Sequence, residues 1–300
     1  MTPGKGSGRL TLAEYWALVK ASAKAWNDDY AQSMGAALAY YTAFSLAPLL
    51  IIVIAIAGLV FGNAAARGEI VGQLTSLLGS HSAKAVEVLL AESSQPERGL
   101  VAASVGLATL IIGATSVLAE LQTSLDRIWR APALQATGFF GMLRARLFSF
   151  GMVIAMGFLL LVSLVFGAAL AAVGKWYGAA FPGTLFVLQF ANLVVSFGIT
   201  TALFAVAYRL LPRAHIEWSD VWMGAVVTAM LFTGGKYLIG AYIGHAGISS
   251  SFGAAGSLIV VLVWVYYSAQ IFLFGAEFTW VYAQHHRRMD RDTPLKTLSA

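Results

Sequence analysis

Residues 36–61 read AALAYYTAFSLAPLLIIVIAIAGLVF, and no charged residue occurs between Tyr30 and Ala66. A helix needs about 20 apolar residues to cross a hydrocarbon core of about 30 Å, so this stretch is read as a membrane span. A cleaved signal peptide is the rival reading, since Ala64-Ala65-Ala66 resembles a small-residue cleavage site. The apolar region is about twice the 7–15 residues of a signal core, and an amphipathic segment precedes it. The span is therefore expected to be retained.

Five more segments pass the same test: Leu100–Ala119, Leu147–Val173, Leu185–Tyr208, Val221–Ile243 and Ala254–Tyr282. The last two belong to one weakly charged tract, divided at the glycine- and serine-rich stretch Gly244–Gly253, which suits a tight re-entry turn. The whole composition agrees with a membrane protein. Of 300 residues, 59% are hydrophobic and only 11% charged, against about 25% charged in ordinary soluble domains. The chain has no cysteine, which excludes a disulfide framework, thiolate metal sites and cysteine nucleophiles.

The formal charge of +5 is distributed by side. The arm before the first span, the second and fourth loops and the tail carry fourteen Lys and Arg residues, including Arg127, Arg130, Arg209 and Arg213. The opposite side carries Arg67, Lys84, Arg98 and Lys175, and Lys236 lies within the fifth span. The positive-inside rule places both termini in the cytoplasm. The expected organisation is a cytoplasmic arm over 1–29, a six-helix transmembrane domain over 30–283 and a basic tail over 284–300. In the arm, Leu12, Tyr15, Trp16, Val19, Ala23 and Trp26 share a helical face, predicting a helix in the interface or packed on the cytoplasmic loops. On the far side, Ile70, Leu74, Leu77 and Leu78, then Val86, Leu89 and Leu90, predict a short helical cap. The fold class is thus an all-α membrane bundle.

Polar side chains at membrane depth are costly against lipid, so they mark candidate sites. In the sixth span Tyr266, Gln270 and Glu277 fall in one narrow sector; in the fourth, Gln189, Asn192, Ser196 and Thr200 form a stripe. Both are expected to face the bundle interior or a wet cavity, with Lys236 in the outer half. The alternative is that they serve as interhelical hydrogen-bonding glue. Arg209 is the better-placed partner for Glu277. At the end of the second span, Asp126 and Arg130 are i, i+4 neighbours suited to pairing, while Glu120, Thr123, Ser124 and Arg127 share another face. Pro48 removes a backbone hydrogen bond in the first span and predicts a kink. Gly58/Gly62 and Gly240/Gly244 are small-xxx-small pairs that permit close helix approach.

The signatures of enzymes are missing. None of His81, His215, His245, His285 and His286 has a partner at metal-ligand spacing except the adjacent pair in the basic tail. There is no HExxH, G-x-S-x-G or P-loop, and no cofactor is expected. Basic loops are accounted for by orientation and attraction to anionic headgroups, so no nucleic-acid partner is invoked.

Four stretches carry a family resemblance: Ala36–Pro48; Leu125-Asp-Arg-Ile-Trp129; Tyr208-Arg-Leu-Leu-Pro212; and Gly253-Ala-Ala-Gly-Ser with Tyr266–Gln270 and Gly275-Ala-Glu-Phe278. In this order and spacing the chain resembles the YihY/BrkB family of bacterial inner-membrane proteins, formerly labelled ribonuclease BN. The resemblance implies six transmembrane helices, an inner-membrane location, and a link to virulence or to envelope lipid export. It marks Pro48, Asp126, Arg127, Gln270 and Glu277 as motif positions without assigning them roles. The expected function is a transporter or flippase-like protein for an amphipathic, anionic-lipid envelope component. The expected path is lined by Lys236, Tyr266, Gln270, Glu277, Gln189 and Asn192. A non-transporting scaffold is the alternative and a ribonuclease the third reading. The bilayer is the primary partner, with self-association and envelope proteins as further partner classes.

Overall fold

The computed structural model describes residues 11–61, 68, 70–72, 75, 83–84, 86–88, 116–132, 182–214, 216–245 and 254–291. Five helices are complete within them: α1 (Leu12–Asp28), α2 (Ala31–Phe61), α3 (Pro182–Leu210), α4 (Trp218–His245) and α5 (Ala254–Arg291). Residues 116–128 are also helical, and the described residues contain no strand. The helix α2 contains the decisive apolar stretch and continues through Pro48, whose side chain lies outside the described residues. The second and third expected spans lie outside them too, apart from residues 116–119. The same holds for most of the expected cap and the turn at 246–253.

Among the described residues, three helices are long and apolar enough to cross a membrane, over Phe190–Leu210, Trp218–Ile243 and Leu258–His286. Their apolar side chains also face outward. Phe190, Leu193, Val194, Met230, Leu238 and Tyr242 are all exposed, which suits a surface solvated by hydrocarbon and not by water. With 38 residues, α5 is about 57 Å long and overshoots the hydrocarbon core. The helix α1 packs against the C-terminal part of α5, around Trp280, Val281 and Gln284.

The helix α5 is the axis of the bundle, with α2 and α4 packed on it and α3 packed on α4. Small residues permit this closeness. A Cβ added to Gly275 would overlap Thr228 and the Tyr208 hydroxyl, and one added to Gly224 would overlap Thr279. Tyr208 is fully buried, donates a hydrogen bond to the Phe272 carbonyl (2.7 Å) and lies 3.0 Å from Thr228 Oγ1. Thr228 and Thr279 return their hydroxyl protons to their own helices, at Gly224 O and Gly275 O, so no buried hydroxyl is left without an acceptor at this crossing. At the opposite end from α1, Val86 is buried with Ala43, Ile239, Ile243, Val260 and Val261. The 68–88 region thus contributes at least that side chain to the core.

The helix α1 exists as expected. Leu18 and Ser22 are buried, whereas Trp16 and Ala23, members of the expected apolar face, are exposed. The arc turned toward α5 runs through Tyr15, Leu18, Ser22 and Trp26, and Trp16 is left to stack under Lys20, 5.4 Å from its ammonium. The first turn is closed by a capping box, in which Thr11 N–H donates to Glu14 Oε2 (2.6 Å) and Thr11 Oγ1 accepts from Glu14 N–H (3.4 Å). The Thr11 backbone N–H holds the Glu14 carboxyl below its ordinary value of 4.5. A carboxyl depressed on folding stabilises the helix above its unfolded value, and that contribution fades as pH falls through the folded one. Amide protection over residues 12–15, corrected for intrinsic exchange, is therefore expected to drop as pH is lowered through this range. The drop should be absent in Glu14→Gln.

Candidate functional site

The residues that converge most tightly come from three parts of the chain that meet at the α1 end of the bundle. Asp29 and Tyr30 form the junction between α1 and α2, Tyr30 with φ +59°. The 116–128 helix ends in a Schellman-type closure, with Ala131 N–H donating to Asp126 O (2.8 Å) and Arg130 in the left-handed region at φ +52°. Glu277 comes from the inner face of α5. Left-handed backbone is uncommon for residues other than glycine, asparagine and aspartate, and here it occurs beside one half of an ion pair and at the other. Arg130 Nη1 lies 2.8 Å from Asp29 Oδ1, the aspartate side chain buried and the arginine half exposed. The guanidinium also covers the Trp280 ring of α5 at 5.4 Å.

Glu277 is fully buried. Its carboxyl and that of Asp29 lie within hydrogen-bonding reach of each other, yet both Glu277 oxygens and Asp29 Oδ2 lack a donor. Two buried carboxyls thus share a single guanidinium, which is already committed to Asp29. Burying a carboxylate without a partner is among the most costly arrangements in a protein interior. This makes the cluster the leading site among the described residues.

The expected residues are distributed around this cluster as follows. Gln270 lies two turns from Glu277 on α5, with Nε2 directed at Ala31 O (3.4 Å) and Gln32 O (3.5 Å) at the start of α2, against Gly35. Tyr266, the third member of the stripe, lies at the exposed edge. Lys236 is half-buried on α4, its ammonium 5.3 Å from the Tyr237 ring. A shallow groove of about 360 Å³, lined by Trp26, Leu231, Gln270 and Phe274 among others, opens beside Gln270. Glu120 is half-buried on the 116–128 helix, and Arg127 is exposed and covers the Tyr30 ring at 5.5 Å.

Three expectations are corrected. Of the two placements expected for the stripe on α3, burial in the bundle interior is not met: Asn192 and Ser196 are exposed, and Thr200 donates to Ser196 O of its own helix. The buried face of α3 runs through Thr201, Ala205 and Tyr208, one residue or about 100° around the helix. The Gln189 side chain lies outside the described residues. Arg209 does not partner Glu277; it covers the Trp218 ring at 5.9 Å. Asp126 does not pair with Arg130, because the left-handed turn carries Arg130 off the helical face. Asp126 instead accepts from Arg213, at its backbone N–H (2.7 Å) and with Nη1 at 3.4 Å.

Asp29 and Arg130, the partners of Glu277, were not selected as site residues by sequence reasoning. The available signal was Asp28-Asp29 standing directly before the charge-free run from Tyr30 to Ala66. Among the described residues, no group of three His, Asp or Glu side chains is placed to hold a metal ion.

Comparison with known proteins places the sequence in a family. The sequence model of the family described as "Virulence factor BrkB" matches residues 22–297. A UPF0761 membrane protein of Pseudomonas aeruginosa is 26% identical over 252 residues, covering 83% of this chain and 58% of that protein. Similar proteins of the same description occur in Tolumonas auensis, at 28% identity over 59% of this chain and 56% of that protein, and in Ralstonia nicotianae, at 25% over 83% and 55%. The chain thus spans a little over half the length of the relatives it matches. No solved structure matches it.

Proposed function

Because the chain belongs to the BrkB virulence-factor family of membrane proteins, we propose that it moves an amphipathic, anionic envelope component, of the lipid class, across the bacterial inner membrane. On this reading it is a transporter or flippase-like protein with six spans and both termini in the cytoplasm, and it catalyses no covalent reaction. The observation that carries the proposal is Glu277, a carboxyl in the interior of a span with neither oxygen partnered. An ionisable group retained at such cost within a span belongs by default to a transport pathway. Two features support the substrate class. Arg127, Arg130, Arg209 and Arg213 gather at the α1 end, where they would attract anionic headgroups. The groove beside Gln270 is apolar and open, as the docking of acyl chains requires.

The test is translocation of headgroup-labelled anionic and zwitterionic lipids in proteoliposomes. Native protein is expected to accelerate anionic lipid over empty vesicles, and folded Glu277→Gln and Lys236→Ala variants are expected to lose that acceleration. Native protein no faster than empty vesicles would overturn the transport reading and leave a scaffold. Retained acceleration in both variants would place the path elsewhere.

A further inference from the structure

We propose that Asp29 and Glu277 together bind one proton, carried by Glu277 and donated in a hydrogen bond to Asp29 Oδ2. The argument begins with the groups that face the pair. From the α1–α2 junction come Asp29 and, exposed beside it, Asp28; from the end of the 116–128 helix comes Arg130; from α5 comes Glu277 itself. The face that α4 turns toward α5 places Gly224 against Thr279 and Thr228 against Gly275. Its one charged residue there is the buried Asp220, in the first turn of α4 and near Tyr282 rather than Glu277. Counting Asp29, Glu277 and the guanidinium of Arg130 leaves one negative charge in excess.

Hydrogen bonding leads to the same place. Three carboxyl oxygens in the cluster are acceptors with no donor: Asp29 Oδ2 and both oxygens of Glu277. An ionised carboxyl can only accept, and a protonated one gains a donor. One proton on Glu277 therefore satisfies its own oxygen and Asp29 Oδ2 at once and removes the excess charge. It leaves the Arg130–Asp29 bond at 2.8 Å undisturbed. A metal ion suits the site less well, because hard cations collect six or more oxygens and the cluster offers three. The proton would enter and leave through the aqueous face at the α1 end, where Arg130 is half exposed. Its use as a coupling ion rests on the transport reading above; its presence does not.

Infrared spectroscopy of the reconstituted full-length chain tests this directly. At neutral pH the native protein is expected to show the C=O stretch of a protonated carboxyl, shifting in D₂O. The band should be absent in Glu277→Gln. It should be absent also in Asp29→Asn, where Glu277 is intact but inherits Arg130 as its counter-ion and ionises. No such band in native protein would overturn the proposal, as would a band that persists in Asp29→Asn, since Glu277 would then hold its proton alone. A carboxylate band that responds to sodium in place of choline would overturn it in favour of a metal cation. Lipid translocation without the band would sink the proton and spare transport, and the band without translocation would do the reverse.

Discussion

Arg130→Ala is expected to destabilise the protein by about 3 kcal/mol, the low end of what is lost when one partner of a buried ion pair is removed. The low end applies because the guanidinium is half exposed, while Asp29 is not. Alanine leaves Asp29 and Glu277 facing each other with no positive charge between them, and it also uncovers Trp280. The check is a double-mutant cycle on thermal unfolding in one detergent. Arg130→Ala combined with Asp29→Asn should be more stable than Arg130→Ala alone, because the second change removes the charge that the first one stranded. Strict additivity of the two losses would mean that the ion pair contributes nothing as a pair.

Gly275→Val is expected to abolish the folded state, and Gly275→Ala to cost about 1–3 kcal/mol, the usual penalty of overpacking. Even the single carbon of alanine would overlap Thr228 and the Tyr208 hydroxyl, where three helices cross. The overlapped atoms are not free to swing away, because Tyr208 is bonded to Phe272 O and Thr228 to Gly224 O. Gly240 gives the internal control. Nothing lies within 4 Å of a Cβ built there, so Gly240→Ala should be neutral or gain up to about 1 kcal/mol from helix propensity. Equal losses at the two positions would show that general glycine flexibility, and not the crossing, sets the stability. The spacing of Gly240 and Gly244 suggested close approach there, but among the described residues this crossing is made by Gly275 and Gly224.

The spans that fall within the described residues were legible because they are long and uninterrupted. Ala31–Phe61, Pro182–Leu210, Trp218–His245 and Ala254–Arg291 are all helices where apolar length predicted them. Which side of each helix faces inward was read less well, for a physical reason. In water polarity marks the outside, but a membrane helix can carry threonine or serine outward by returning the hydroxyl proton to its own carbonyls, as Thr200 does. Polar periodicity on α3 therefore pointed one residue away from the buried face. Glu277 escaped this ambiguity because a carboxylate cannot satisfy itself in that way, and its interior position was legible. Its neighbour was not. Asp29 lies almost the whole chain away in sequence, and Arg130 reaches it only through a left-handed turn that its side chain gives no reason to expect. The same turn broke the helical spacing from which an Asp126–Arg130 pair was inferred.

The junction at Asp29–Tyr30 gives α1 a leverage that its packing alone would not suggest. Seventeen residues of helix make an arm about 25 Å long, and its pivot is one residue away from the buried carboxyl. A tilt of about 10° at that pivot moves the far end of the arm by about 4 Å, roughly the spacing of neighbouring Cα atoms. The fulcrum of that beam is thus the Asp29–Arg130 ion pair, and its tip, with Glu14, stands beside Gln284 and His285 near the end of α5.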